Sequence, residues 1–267
     1  ITGPILDYIQ FIFFKLFGVN WFSYVLHATA LNVIISLTVF FFFLKIGIKK
    51  FYSLLYAIST SILAYPSVGT PFMDHHSAIF SLIAVIFLFL SIQSIKNNYW
   101  FLIPIFLFSS FLSKQIPSAY LSILFLIIVL IFIYLENYKR INFLFQLLLG
   151  GIVPAFLLTV LFWLNDIPFK NFFTQYIFFP YEIGAERSSK LGFDLNNIFS
   201  RFKFIYFSLM PLFLIAVKMY SREYLRNHEV KKDFLLIFLT IFSVFIFIYS
   251  QILTNNQILI FFLVPFC

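Results

Sequence analysis

Long apolar stretches, separated by short polar connections, recur from one end of this sequence to the other. Hydrophobic residues make up 62% of the chain and charged residues 10%, against about 45–50% and about 25% in a soluble domain. So few charges cannot cover the surface of a water-soluble domain of this length, but they suffice for the loops of a protein that faces lipid. The sequence therefore predicts an integral membrane protein that crosses the bilayer many times.

The apolar runs are predicted to be transmembrane helices. About 20 apolar residues in a helix span the bilayer core, and an open strand or loop would leave its backbone groups unpaired in lipid. The expected fold class is all-α, a polytopic bundle of about eight or nine spans that forms a single domain over residues 1–267. The predicted spans are Trp21–Leu44, Phe51–Tyr65 (short), Ser77–Ile95, Trp100–Leu112 (short), Ile116–Tyr134, Phe143–Leu164, Phe204–Val217, Phe234–Leu253 and an incomplete one from Ile258.

The chain starts at Ile1 without a signal peptide and stops at Cys267 inside an apolar run, so both ends are expected to be cut from a longer protein. Ahead of the first span, Pro4–Phe17 has apolar residues at helical spacing, interrupted by Asp7 and Lys15 among others. This pattern favours an amphipathic helix on the membrane interface. The alternative is the tail of a span that was cut.

Lysine and arginine in short connections set the orientation of a membrane protein. With the side of Asp7 taken as outside, the inside connections are rich in Lys and Arg, and most outside basic residues fall in one long extracytoplasmic loop, 165–203. The net charge of +8 is thus explained by topology, and no nucleic-acid partner is expected. Because the unusual polar residues collect in the outside segments, the function is expected at the outer face.

Several kinds of chemistry find no support in the sequence. The single cysteine, Cys267, provides neither a disulfide framework nor a cysteine metal site. There is no P-loop, GxGxxG, HExxH or GxSxG motif. Redox cofactors and ATP-driven transport are therefore not expected, and a divalent metal ion is the one cofactor considered.

The first candidate site is the segment Tyr65–His76, where two prolines and a glycine break the helix ahead of Asp74, His75 and His76. Ionisable groups near a membrane are costly and tend to be functional. Asp74 could act as a base, a charge partner or a metal ligand, and the two histidines as metal ligands or proton carriers. The alternative is that Asp74 is only the N-cap of the next helix. Adjacent histidines point about 100° apart on a helix, which disfavours one metal ion bound by both.

The second candidate is Lys114 with Gln115, between two apolar helices on the side where a lysine is disfavoured. This cation could hold a phosphate at the lipid interface, with Gln115 adding hydrogen bonds. The alternative is a snorkelling lysine that ends a helix. In the long outer loop, Tyr181, Glu182 and Arg187 could line a polar ligand site, although a solvated loop explains the same composition.

The order of these features resembles the GT-C superfamily of membrane glycosyltransferases, which includes protein O-mannosyltransferases and bacterial aminoarabinose lipid A transferases. Gly3-Pro4 with the helix that follows is similar to the family's juxtamembrane helix, and the Asp74 segment to the place where many members carry a second acidic residue. Phe111-Leu112-Ser113-Lys114-Gln115 is similar to the family's small residue–Leu–Thr–Lys–Gly stretch, with Gln115 as a departure. The resemblance covers about the first 200 residues.

This resemblance implies an enzyme of the bacterial plasma membrane that moves a sugar from a polyprenyl-phosphate donor to a lipid, glycan or protein acceptor. Lys114, with Arg187, would stabilise the leaving phosphate, and Asp74 with His75 or His76 would bind a metal ion or orient the acceptor. The family's catalytic acidic residue would precede Ile1, so the chain is expected to be a fragment that is inactive alone.

Three other functions remain open at this point. A lipid-linked oligosaccharide polymerase or ligase shares the substrate class, but it would favour histidines in the outer loop, where residues 165–203 have none. A carrier or flippase would need a polar path through the membrane centre. A non-enzymatic membrane scaffold fits the same composition.

Overall fold

A computed structural model describes residues 3–66, 69–94, 98–136, 142–189, 195–220, 228–254 and 260–267. All regular structure in these ranges is helical. The α-helices are α1 (Pro4–Phe17), α2 (Trp21–Lys45), α3 (Lys50–Ala64), α4 (Met73–Gln93), α5 (Leu102–Ser113), α6 (Ser118–Leu135), α7 (Asn142–Leu164), α8 (Phe169–Phe172), α9 (Phe179–Ser189), α10 (Leu195–Met219) and α11 (His228–Thr254). A 3-10 turn (Asn98–Phe101) precedes α5, and a π-helical turn (Phe173–Phe178) joins α8 to α9.

Six of these helices are long and apolar enough to cross a membrane: α2, α4, α6, α7, α10 and α11. A shorter apolar helix, Tyr99–Ser113, includes α5. The all-helical class and the multi-pass membrane character are thus confirmed. The expected eight or nine spans exceed these six, and the described residues after Ile258 form only a short 3-10 turn, Phe261–Leu263.

The start of α2 follows local capping chemistry. The prediction Trp21–Leu44 agrees with α2 to within one residue, because Asn20 caps the helix by accepting a hydrogen bond from the Ser23 N–H at 3.0 Å. An N-cap of this kind satisfies one of the donors that the first turn leaves unpaired.

Helix α4 is the centre of the bundle. In its most apolar stretch 89% of the residues are buried, against 17% for α7, and it packs against α2, α5, α6 and α11. A helix that is apolar all round belongs in the interior, whereas the exposed apolar residues of α7 suit a lipid-facing position. The first turn of α4 meets the last turn of α5, so the two helices are antiparallel neighbours.

Several other helix ends meet at the same place. We call this region the site end of the bundle and define it by His27 of α2, Ala64 at the end of α3, the first turn of α4 and Lys114 after α5. Three residues of that first turn make the contacts: Asp74 with Lys114, His75 with Ala64 and His76 with His27. At the opposite end Lys232 of α11 forms an ion pair of 2.8 Å with Glu136, the residue after α6.

The segment 165–203 differs from the expected loop. Residues Phe169–Ser189 are helical through α8, the π-helical turn and α9, and we call them the outer helix. Helical structure was not expected here because the sequence shows no clear helical periodicity, and the extracytoplasmic position of the segment 165–203 stays a prediction. Residues 190–194 of the predicted loop lie outside the described residues.

Candidate functional site

Asp74 and Lys114 form an ion pair at the site end of the bundle. The Lys114 ammonium nitrogen contacts Asp74 Oδ1, and the two side chains are 18% and 7% exposed. Helix α4 begins at Met73 and its N-cap is Phe72, which makes no side-chain capping bond. The interpretation of Asp74 as the N-cap is therefore wrong, and its carboxylate is the charge partner of Lys114.

Three serines hold the backbone around this ion pair. Ser110 Oγ donates to the Ser77 carbonyl oxygen at 2.8 Å, and the hydroxyls of Ser77 and Ser81 lie 2.9 and 2.7 Å from Ser110 Oγ. Ser77 Oγ also donates to the Lys114 carbonyl oxygen at 3.1 Å. Hydroxyl pairs between apolar helices allow close approach and satisfy polar groups away from water. This serine cluster fixes α5 against α4 and thereby fixes the separation of Asp74 and Lys114.

The outer helix is bound to the turn that carries Lys114. Tyr176 donates its phenol hydrogen to the Phe111 carbonyl oxygen at 2.6 Å, and Gln115 Nε2 donates to the Tyr176 carbonyl oxygen at 2.7 Å. Burial raises the pKa of the Tyr176 phenol, which keeps the hydroxyl protonated as a donor. Gln115, expected to bind a phosphate, is thus engaged with the outer helix in this structure.

The two histidines after Asp74 contact different neighbours. His75 Nε2 lies 2.6 Å from the Ala64 carbonyl oxygen, whereas His76 Nε2 lies 2.8 Å from His27 Nε2. Within the described ranges, no three His, Cys, Asp or Glu side chains are arranged to hold a metal ion. A metal ion bound by Asp74 with His75 or His76 stays a prediction.

His27 is a residue that the sequence analysis missed. It lies on α2, is 2% exposed, and its Nδ1 lies 2.8 Å from Gln10 Oε1 of α1. An ionisable residue inside an apolar span is a signal of function by itself, and this signal was present in the sequence. Its partner His76 could not be found from the sequence because the two residues are 49 positions apart.

The remaining predicted residues lie on the outer helix. The side chains of Tyr181 and Glu182 are exposed, Tyr181 by 75%. No contact described in the structure joins either of them to Asp74 or Lys114. Arg187 belongs to α9, but its side chain lies outside the described part of the chain.

An apolar groove runs between α6 and α11. It has a volume of about 360 Å³, and Ile127 and Phe242 are among its lining residues. Two tyrosines also line it, Tyr120 in the first turn of α6 and Tyr249, with ring centroids 5.4 Å apart. Because α6 starts just after Lys114, the tyrosine pair is at the site end of the groove.

Comparison with known proteins gives no match: no family model, curated protein or solved structure matches this chain. Its function is therefore inferred from its residues and their geometry.

Proposed function

We propose that this chain is part of a GT-C-like membrane glycosyltransferase that moves a sugar from a polyprenyl-phosphate donor to a lipid, glycan or protein acceptor at the outer face of a bacterial plasma membrane. The observation that supports this proposal most is the ion pair between Lys114 and Asp74 at the site end of the bundle. A cation and a carboxylate held together beside the membrane surface are the groups that such a transfer uses.

The cation suits the leaving group of the transfer. Departure of the sugar leaves negative charge on the donor phosphate, and a positive group already in place stabilises that charge in the transition state. The Lys114 side chain is 18% exposed, so it is not enclosed by the protein on every side. A phosphate that reaches Lys114 competes with Asp74 for the same ammonium group, because the carboxylate is its partner in this structure.

The carboxylate suits the acceptor. Once a phosphate has displaced Asp74 from Lys114, the Asp74 carboxylate can accept a hydrogen bond or a proton from an acceptor hydroxyl. The resemblance places a further acidic residue ahead of the helix α1. The proposal therefore assigns donor binding to Lys114 and orientation of the acceptor to Asp74. Arg187 stays a predicted second cation for the leaving phosphate, and Tyr181 and Glu182 stay predicted substrate-binding residues.

The groove between α6 and α11 suits the hydrocarbon part of the donor. Its lining is apolar apart from Tyr120 and Tyr249, and tyrosines with one polar end are common at the level of lipid head groups. A lipid chain in this groove would have its head group at the site end, where Lys114 lies.

The proposed topology places the site end outside. Helix α1 would lie on the interface, because its apolar Ile12 and Leu16 are exposed and its charged Asp7 and Lys15 are exposed as well. Helix α3 and the shorter α5 would then cross the membrane together with the six long apolar helices.

The proposal is tested by measuring sugar release from a polyprenyl-phosphate sugar by the protein, as its gene encodes it, in liposomes. Lys114→Ala should lower the rate by about tenfold or more, since a hydrogen bond to a charged group contributes about 1.5–3 kcal/mol. Lys170→Ala, which removes an exposed lysine of the outer helix, is the matched control and should leave the rate unchanged. Equal rates for Lys114→Ala and the unmodified protein would contradict the assignment.

A further inference from the structure

His27 of α2 and His76 of α4 face each other inside the site end of the bundle. Their Nε2 atoms are 2.8 Å apart, and their ring planes lie at 77° with centroids 4.8 Å apart. The two residues are 2% and 0% exposed. The Asp74 carboxylate is paired with Lys114 and not with either ring. The two imidazoles therefore contact each other directly.

The second nitrogen of each ring faces an oxygen acceptor. His27 Nδ1 lies 2.8 Å from Gln10 Oε1, and His76 Nδ1 lies 3.0 Å from the Phe72 carbonyl oxygen. A ring nitrogen next to an acceptor carries the hydrogen, and a neutral imidazole carries only one. With Gln10 Oε1 as the acceptor of His27, both Nε2 atoms keep a lone pair that faces the other ring, an arrangement that a cation between them would stabilise. With the Gln10 amide turned over, its Nε2, which has no hydrogen-bond partner in this structure, would donate to His27 and the two rings would share an N–H···N bond instead.

Oxygen acceptors on the far nitrogen are also how proteins orient metal-binding histidines. Such an acceptor fixes the tautomer and the ring, and it raises the basicity of the nitrogen that binds the metal. A third imidazole lies nearby: His75 directs Nε2 at the Ala64 carbonyl oxygen, and its buried Nδ1 has no hydrogen-bond partner. Its ring centroid is 6.0 Å from that of His76.

We propose that His27 and His76 bind one transition-metal ion through their Nε2 atoms. Metal–nitrogen bonds of about 2.0–2.1 Å separate two ligands by about 2.8–3.0 Å at right angles and by about 3.3–3.4 Å in a tetrahedron. The observed 2.8 Å therefore fits neighbouring positions of a square-planar or tetragonal ion. Cu²⁺ and Ni²⁺ favour that geometry with nitrogen ligands.

The experiment uses Cu²⁺ as the probe and the whole chain, purified in detergent without a histidine tag. Calorimetry should give one bound Cu²⁺ per chain, and electron paramagnetic resonance should show hyperfine splitting from two nitrogen ligands. His27→Gln and His76→Gln should abolish this binding. Gln10→Leu, which removes only the oxygen acceptor of His27, should weaken it by about 10–100-fold.

His75→Gln is the matched control, because His75 contacts Ala64 and not His27; it should keep one bound Cu²⁺ with the same spectrum. The spectrum of the unmodified protein counts the nitrogen ligands even if a variant fails to fold. Absence of stoichiometric binding would overturn the proposal, as would loss of binding in His75→Gln with retention in His27→Gln. A ¹⁵N spectrum that shows an ordinary N–H···N bond between the rings in the presence of Cu²⁺ would also overturn it, with the Gln10 amide then donating to His27. None of these outcomes bears on the sugar-transfer proposal.

Discussion

Lys114 forms an ion pair with Asp74 although the two residues are 40 positions apart in the sequence. The pair connects the last turn of α5 to the first turn of α4. Phe111, three residues before Lys114, and Gln115, the residue after it, hydrogen-bond to Tyr176 of the outer helix. The ion pair is therefore both a joint between helices and the proposed position of the donor phosphate.

Replacing only one member of this ion pair should destabilise the protein. Both Lys114→Ala and Asp74→Asn remove one charge and leave a shielded partner without compensation, and each should lower the free energy of unfolding by about 3–5 kcal/mol. The double variant should be much less destabilised than the sum of the two. Unfolding in mixed detergent and denaturant gives the three values, and strict additivity would show that the two charges do not interact.

Gly3 should tolerate no side chain. A Cβ atom at this position would collide with the carbonyl oxygens of Leu112 and Ser113, so Gly3→Ala should push α1 away from α5 and lower the thermal midpoint. Gly184→Ala is the matched control, because a Cβ there would meet nothing within 4 Å. A Gly3→Ala variant as stable as the Gly184→Ala variant would contradict the close contact.

Tyr176 should hold the outer helix in place. Tyr176→Phe keeps the ring but loses the hydrogen bond to the Phe111 carbonyl oxygen, which should cost about 1 kcal/mol and speed amide hydrogen exchange in the outer helix. Tyr181→Phe, at a residue that is 75% exposed, should leave exchange unchanged. Identical amide exchange in both variants would contradict the claim that Tyr176 holds the outer helix in place.

The same phenol gives a pH dependence. Burial raises the pKa of Tyr176 above its ordinary value, so the folded state favours the protonated form. Its contribution to stability should be complete below about pH 10, the value of an unperturbed tyrosine, and should fall as the pH rises further. Unfolding measured at rising pH should show a smaller loss for Tyr176→Phe than for the unmodified protein.

Ser110 should be the most sensitive member of the serine cluster. Ser110→Ala removes the hydroxyl that pairs with the buried Ser81 hydroxyl and one of the partners of the Ser77 hydroxyl, with an expected cost of about 1–3 kcal/mol. Ser122→Ala, an exposed serine that bonds only to its own helix, is the control. Equal stability of the two variants would mean that the cluster does not hold α4 and α5 together.

The membrane helices could be predicted from the sequence because bilayer thickness and the cost of unpaired backbone groups leave few choices. The prediction Phe143–Leu164 agrees with α7 to within one residue. The shared location of the Asp74 and Lys114 turns also followed from counting spans. The direct ion pair could not be predicted, since it depends on the serine contacts that set the spacing of α4 and α5.

Two features of the structure could not be predicted from the sequence, for identifiable reasons. The outer helix is aromatic and polar without a helical period, and its π-helical turn is stabilised by the tertiary hydrogen bonds of Tyr176. The pair of His27 and His76 joins two helices that are remote in sequence, and only packing brings its members together.

The central claim is that Lys114 holds the donor phosphate, and direct binding of polyprenyl phosphate tests it most closely. Native mass spectrometry of the unmodified protein, Lys114→Ala, Asp74→Asn and Lys170→Ala would give the four dissociation constants. Lys114→Ala should bind about tenfold or more weakly, Asp74→Asn more tightly because the competing carboxylate is gone, and Lys170→Ala unchanged. Equal affinities in all four proteins would contradict the claim.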